Sequence, residues 1–123
     1  LASCKTGGAQ PPVFAPAYTA TVAANMTAIY RRRLSAEDVD TGTIFIEKSR
    51  WRRFPPPMRE FAVTVGGDRF ATRIVAEPCA CVAPAHEHYH LEANHFRERL
   101  DFTRGASIEI YQDADGAYAI ENA

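Results

Sequence analysis

Long apolar runs are missing from this chain: none approaches the roughly 18 residues a membrane-spanning helix needs, and no span is expected. Cysteine is scarce as well. The three present are an odd number without the spacing of a secreted disulfide framework, so a reducing, cytoplasmic setting fits best. Catalytic loops are also lacking. Gly7-Gly8 and Gly66-Gly67 have neither the lysine nor the helix that follows a phosphate-binding loop, and no strained nucleophile turn accompanies the serines. Lysine is rare: twelve of the fourteen basic residues are arginine, whose planar fork suits phosphates and guanine edges. GC-rich coding produces the same excess, so arginine usage alone decides little.

What is present is enough for one domain. At 123 residues, with 46% hydrophobic and 24% charged content, the chain can bury one core and not two. The net charge of -1 hides an asymmetry. Residues 1–59 hold nine Lys and Arg against four Asp and Glu, and residues 60–123 hold five against eleven. Such a division allows a basic face and an acidic back. Residues 1–16, rich in Gly, Pro and Ala, read as a flexible lead or linker, and residues 17–123 as a single domain.

Within that domain the patterning is mainly β. Val22, Met26, Ile29 and Tyr30 fall at helical spacing, which predicts a helix over residues 17–33 ending in Arg31-Arg32-Arg33. Ser35-x-x-Asp38 is a helix start, and Gly42 limits it to a short turn. Thr43 to Glu47 alternates, with Ile44 and Ile46 on one face and Thr43, Phe45 and Glu47 on the other. Ser49 to Phe54 reads as a helical turn stopped by Pro55-Pro56-Pro57. A strand over Glu60 to Val65 turns at Gly66-Gly67-Asp68 and returns from Arg69 to Ala76 as one strand. Glu87 to Leu91 is a further strand. Asn94 is expected to cap a helix through Leu100, and Ser107 to Gln112 with Ala117 to Glu121 a last hairpin. Phe54, Phe61, Phe70, Phe96 and Phe102 are simplest as core.

Two clusters carry chemistry. Lys48, Arg50, Arg52 and Arg53 lie within six residues, as phosphate neutralisation requires. Glu47 and Thr43 project beside them; a carboxylate accepts from cytosine N4, and threonine reads either edge or touches a thymine methyl. The other cluster is Cys79-Ala80-Cys81 followed by His86, His88 and His90. Alternate residues of an extended chain share a side, so Cys79, Cys81, His86, His88 and His90 offer an alternative zinc site. His90, Asn94 and His95 are too closely spaced for an HNH nuclease centre. Leu1-Ala2-Ser3-Cys4 matches a bacterial lipobox, and with the Cys/His run supports the alternative of a small metal- or ligand-binding lipoprotein.

The order of features from residue 34 to 121 resembles the B3-type DNA-binding pseudobarrel of plant transcription factors and of recognition domains in bacterial restriction endonucleases. The matching residues are Ser35-x-x-Asp38, Gly42 before a short apolar strand, the basic turn ending in Phe54-Pro55, the Gly-turn hairpin with Phe70 and Arg73, and Phe96, Leu100 and Gly105 before an apolar strand. The resemblance implies a mainly β, antiparallel, seven-stranded-type open pseudobarrel with short flanking helices. It implies duplex DNA as partner, no cofactor, and a nuclease domain elsewhere in the parent chain. Two arms would clasp the major groove: a first around Asp40 to Arg53, with Thr41, Thr43, Glu47, Lys48, Arg50, Arg52 and Arg53, and a second between Arg73 and Leu91, with Arg73, His86 and His88 toward DNA and Tyr89 inward. Ala106 stands where the family usually has a charged residue, and the second arm is longer and richer in Cys and His than the plant pattern.

Overall fold

A computed structural model describes residues 26–79 and 86–123. The lead over residues 1–16, Cys4 and the first part of the expected helix lie outside them.

The first described element is a strand, β1 (Met26–Arg33), and not the expected helix. It pairs antiparallel with β7 (Ser107–Asp113), and the register shifts between Ala28 and Tyr30. That bulge turns the neighbours Ile29 and Tyr30 both into the core. An extra residue in a strand breaks its period of two, so Met26, Ile29 and Tyr30 imitate a helical stripe. The arginines that seemed to end a helix fall on the strand instead.

Helix α1 (Ala36–Thr41) starts as its sequence dictates. The Ser35 side chain accepts from the Asp38 backbone N–H, and the Asp38 carboxylate accepts from that of Ser35. Gly42 closes the helix at φ 70, donating to Asp38 O at 2.9 Å. A side chain at Gly42 would also collide with Asn94. Strand β2 (Thr43–Ile46) follows, then a 3-10 helix (Lys48–Arg53) that ends before the prolines.

β3 (Phe61–Val65) and β4 (Asp68–Thr72) form the hairpin across Gly66 and Gly67, both at positive φ as a two-residue turn requires. The return is not one strand. At Arg73 the chain leaves β4 and enters β5 (Ile74–Cys79), which belongs to another sheet. The Thr72 hydroxyl donates to Glu92 O at 2.5 Å, and Arg73 O accepts from Glu92 N at 3.1 Å, which pins the crossing. β6 (His86–Glu92) pairs with β5 and β2. Beyond it, Asn94 packs against Gly42 and caps nothing; the expected helix is a single 3-10 turn (Arg97–Arg99). β8 (Tyr118–Asn122) completes the last hairpin.

The strands form a five-stranded sheet, β1-β7-β8-β3-β4, and a three-stranded sheet, β2-β6-β5. Every pairing is antiparallel except β3 with β8. Val63, Val65, Ile108, Ile110 and Ile120 of the large sheet meet Ile44, Ile46, Ile74 and Leu91 of the small one in a common core, closed by Leu34 and Phe96. Phe54 and Phe102 are buried, while Phe61 and Phe70 pack half-buried at its margin. The class is mainly β: an open pseudobarrel with short helices and eight strands among the described residues.

Candidate nucleic-acid interface

The small sheet has an inner and an outer face. Ile44, Leu91 and Ile74 lie opposite one another across its three strands and are buried. One residue along, Phe45, His90 and Val75 form the next row, which period two turns outward. Thr43 with Glu92, and His88 with Glu77, extend that outer face. The two segments expected to form arms are therefore neighbours: β2 and the 3-10 helix lie beside the β5–β6 hairpin on one sheet.

The outer face is held by aromatic contacts. His88 and His90 each meet the Phe45 ring edge-on at a centroid distance of 5.6 Å, and the Arg32 guanidinium lies 5.0 Å from the same ring. The Phe45 carbonyl accepts from the Tyr30 hydroxyl at 2.8 Å. Burial raises the pKa of that phenol further above neutrality. His90 Nε2 sits 3.6 Å from Glu77 Oε1, and its Nδ1 is buried without a hydrogen-bond partner among the described residues.

A buried carboxylate fixes where β2 lies. Asp38 accepts from Arg32 Nε at 2.9 Å, from Ser35 N at 3.0 Å and from Phe45 N at 3.3 Å. One side chain thus joins β1, α1 and β2. The next element is anchored through Trp51, whose Nε1 donates to Ile46 O at 3.0 Å and whose indole stacks on Tyr89 at 3.7 Å.

Lys48, Arg50, Arg52 and Arg53 are all exposed on the 3-10 helix, with Glu47 exposed just before it. At three residues per turn, Lys48 shares a side with Trp51, and Arg50 with Arg53. Thr41 and Thr43 are committed to each other. Thr41 Oγ1 donates to Glu37 O at 2.8 Å, so at 2.7 Å from Thr43 Oγ1 it accepts. Arg73 stands at the foot of the second arm, paired with Glu92 at 3.1 Å and half-exposed. His88 is half-buried; the side chain of His86 lies outside the described part, as do Cys81 and the side chain of Cys79. Among the described residues no group of three or more His, Cys, Asp or Glu could hold a metal.

Between the arms lies an open notch of about 500 Å³, lined by Phe45, Ile46, Lys48, Trp51, Glu87 and His88. Sequence patterning placed Phe45 outward and gave it no role. A large aromatic on the solvent side of an alternating strand was the available signal. The asymmetry of charge is less simple than the sequence suggested. Arg31 and Arg33 sit on the large sheet, Arg31 opposite Glu109, and not on the basic 3-10 helix. Behind them Glu109 faces Glu121 across the last hairpin.

No family model matches this chain, and no curated protein does. Among solved structures, the Arabidopsis FUS3–DNA complex superposes with a TM-score of 0.62 at 17% identity, covering 78% of this chain and 96% of that one. The fold is B3-like.

Proposed function

We propose that this chain binds duplex DNA and reads its sequence in the major groove through two arms, as the non-catalytic recognition part of a restriction endonuclease. The observation that carries the DNA reading is the side-by-side placement of the first arm and the β5–β6 hairpin on one three-stranded sheet, with four exposed cations on the 3-10 helix of the first arm. Arms on opposite sides of the molecule could not enter one groove. The likeness of fold to a protein solved with DNA lends further support. Lys48, Arg50, Arg52 and Arg53 hold phosphates or guanine edges. Thr41, Thr43 and Glu47 serve the first arm, and Arg73, His86 and His88 the second.

Fluorescence anisotropy with a duplex selected from a random pool tests this. Affinity should fall with salt at a log–log slope of about -0.9 per phosphate contacted, and a flat response rejects the reading. As part of a restriction endonuclease, the parent protein should cut the selected duplex while residues 1–123 only bind it.

A further inference from the structure

The notch between the arms is walled mainly by carbon. Base edges in the major groove read through hydrogen-bond donors and acceptors, and the apolar group that projects from them is the C5-methyl of a pyrimidine. We infer that the notch seats a C5-methylated pyrimidine and that Phe45 is the residue that senses the methyl. This rests on the DNA reading above and adds to it the chemical identity of one base.

The walls are fixed before any ligand arrives. Phe45 is held by edge-on contacts with His88 and His90 and by Arg32 over its ring. Trp51 is held by its bond to Ile46 O and by its stack on Tyr89. Pre-ordered aromatic walls lose little rotamer freedom when covered, so burying a methyl there is not offset by ordering. The rim is charged in a useful order. Lys48 comes from the helix that carries Arg50, Arg52 and Arg53, which suits phosphates at the groove margin. Glu87 lies across the notch on the second arm; its carboxylate repels phosphate and accepts from an amino group such as cytosine N4. Thymine and 5-methylcytosine both present the required methyl. The notch is far larger than a methyl group, so the pyrimidine edge enters with it.

The test uses the duplex selected by the full 123-residue chain. Each thymine is replaced in turn by uracil, which removes only the methyl, and each cytosine by 5-methylcytosine. Anisotropy titration should find one position where the methyl changes affinity about fourfold, as burial of one methyl implies. A loss on a uracil substitution identifies thymine; a gain on cytosine methylation identifies 5-methylcytosine. Phe45→Ala should make that position indifferent to the methyl while other positions keep their preferences. Phe45→Leu, which keeps the wall apolar, should retain part of the response and covers the case in which the alanine variant does not fold. If the duplex binds and no position senses a methyl, the inference fails and the DNA reading stands. If no duplex is selected from the pool, both fail.

Discussion

Two residues show how single side chains fix the behaviour of this domain. Asp38 is buried, and its carboxylate is satisfied by the Arg32 guanidinium and by backbone N–H groups of Ser35 and Phe45. Asp38→Ala removes the reciprocal cap and leaves Arg32 three-quarters buried without its partner, a destabilisation of about 2–3 kcal/mol in urea denaturation. The first arm should loosen with it, because Asp38 holds β2 through the Phe45 N–H. Tyr111 behaves differently. Burial, then its 2.9 Å bond to Glu109 and the charge of Glu121, push its phenol from 10.0 up to about 12. A phenol with a raised pKa keeps its proton in the folded chain after the unfolded chain has lost it. Stability therefore falls as pH climbs from about 10 toward about 12. Tyr111→Phe should flatten that fall, read as the urea midpoint measured across the same window.

At the scale of elements, two devices give the small sheet its position. The bulge in β1 and the crossing at Arg73 each break a regular strand, and both happen where the chain must serve two surfaces. The alternation of Phe70, Thr72, Ile74 and Ala76 runs straight through the crossing, so the sequence pattern carried no sign of it. What breaks the strand is the grip of Glu92 on Thr72 and Arg73, from a residue some twenty positions along the chain. The Asn94 helix failed for a similar reason. Asn94 is drawn against Gly42, whose missing side chain leaves the room. Gly42→Ala should cost on the order of 2 kcal/mol, since it forces a left-handed backbone on an L residue and strikes Asn94. Adding Asn94→Gly should recover the steric share, and thermal melts of the single and double variants separate the two effects.

For the whole molecule, the consequence of two sheets sharing one core is that both arms belong to the smaller sheet, with the 3-10 helix packed against it through Trp51 on Tyr89. The cations of the 3-10 helix then gather on one short element, while Arg31 and Arg33 belong to the large sheet. Removing cations from the arm should weaken binding, and the salt dependence tells which DNA groups they held. If Arg50 and Arg52 each grip a guanine edge, Arg50→Ala with Arg52→Ala should weaken binding by about 1–3 kcal/mol per arginine, with the salt slope unchanged. If both arginines hold phosphates, the slope should drop by about 0.9 for each. The same double change at Arg31 and Arg33 should leave affinity nearly unaltered, and an equal weakening there would contradict the placement of the interface.

Local chemistry settled much of this protein in advance. The Ser35/Asp38 box, the Gly42 stop, a tight turn at Gly66-Gly67 and the alternation of Ile44 and Ile46 each specify their element within a few residues, and each stands in the structure, with Asp68 already in β4. The order of those elements was enough to suggest a pseudobarrel. Tertiary packing alone decided the rest: that Met26–Arg33 is a bulged strand, that one apparent strand serves two sheets, and that Phe45, Trp51 and His88 enclose a notch. Periodicity records which side chains avoid water. It does not record which distant strand they meet, and a bulge, a crossing and a cavity are all products of that meeting.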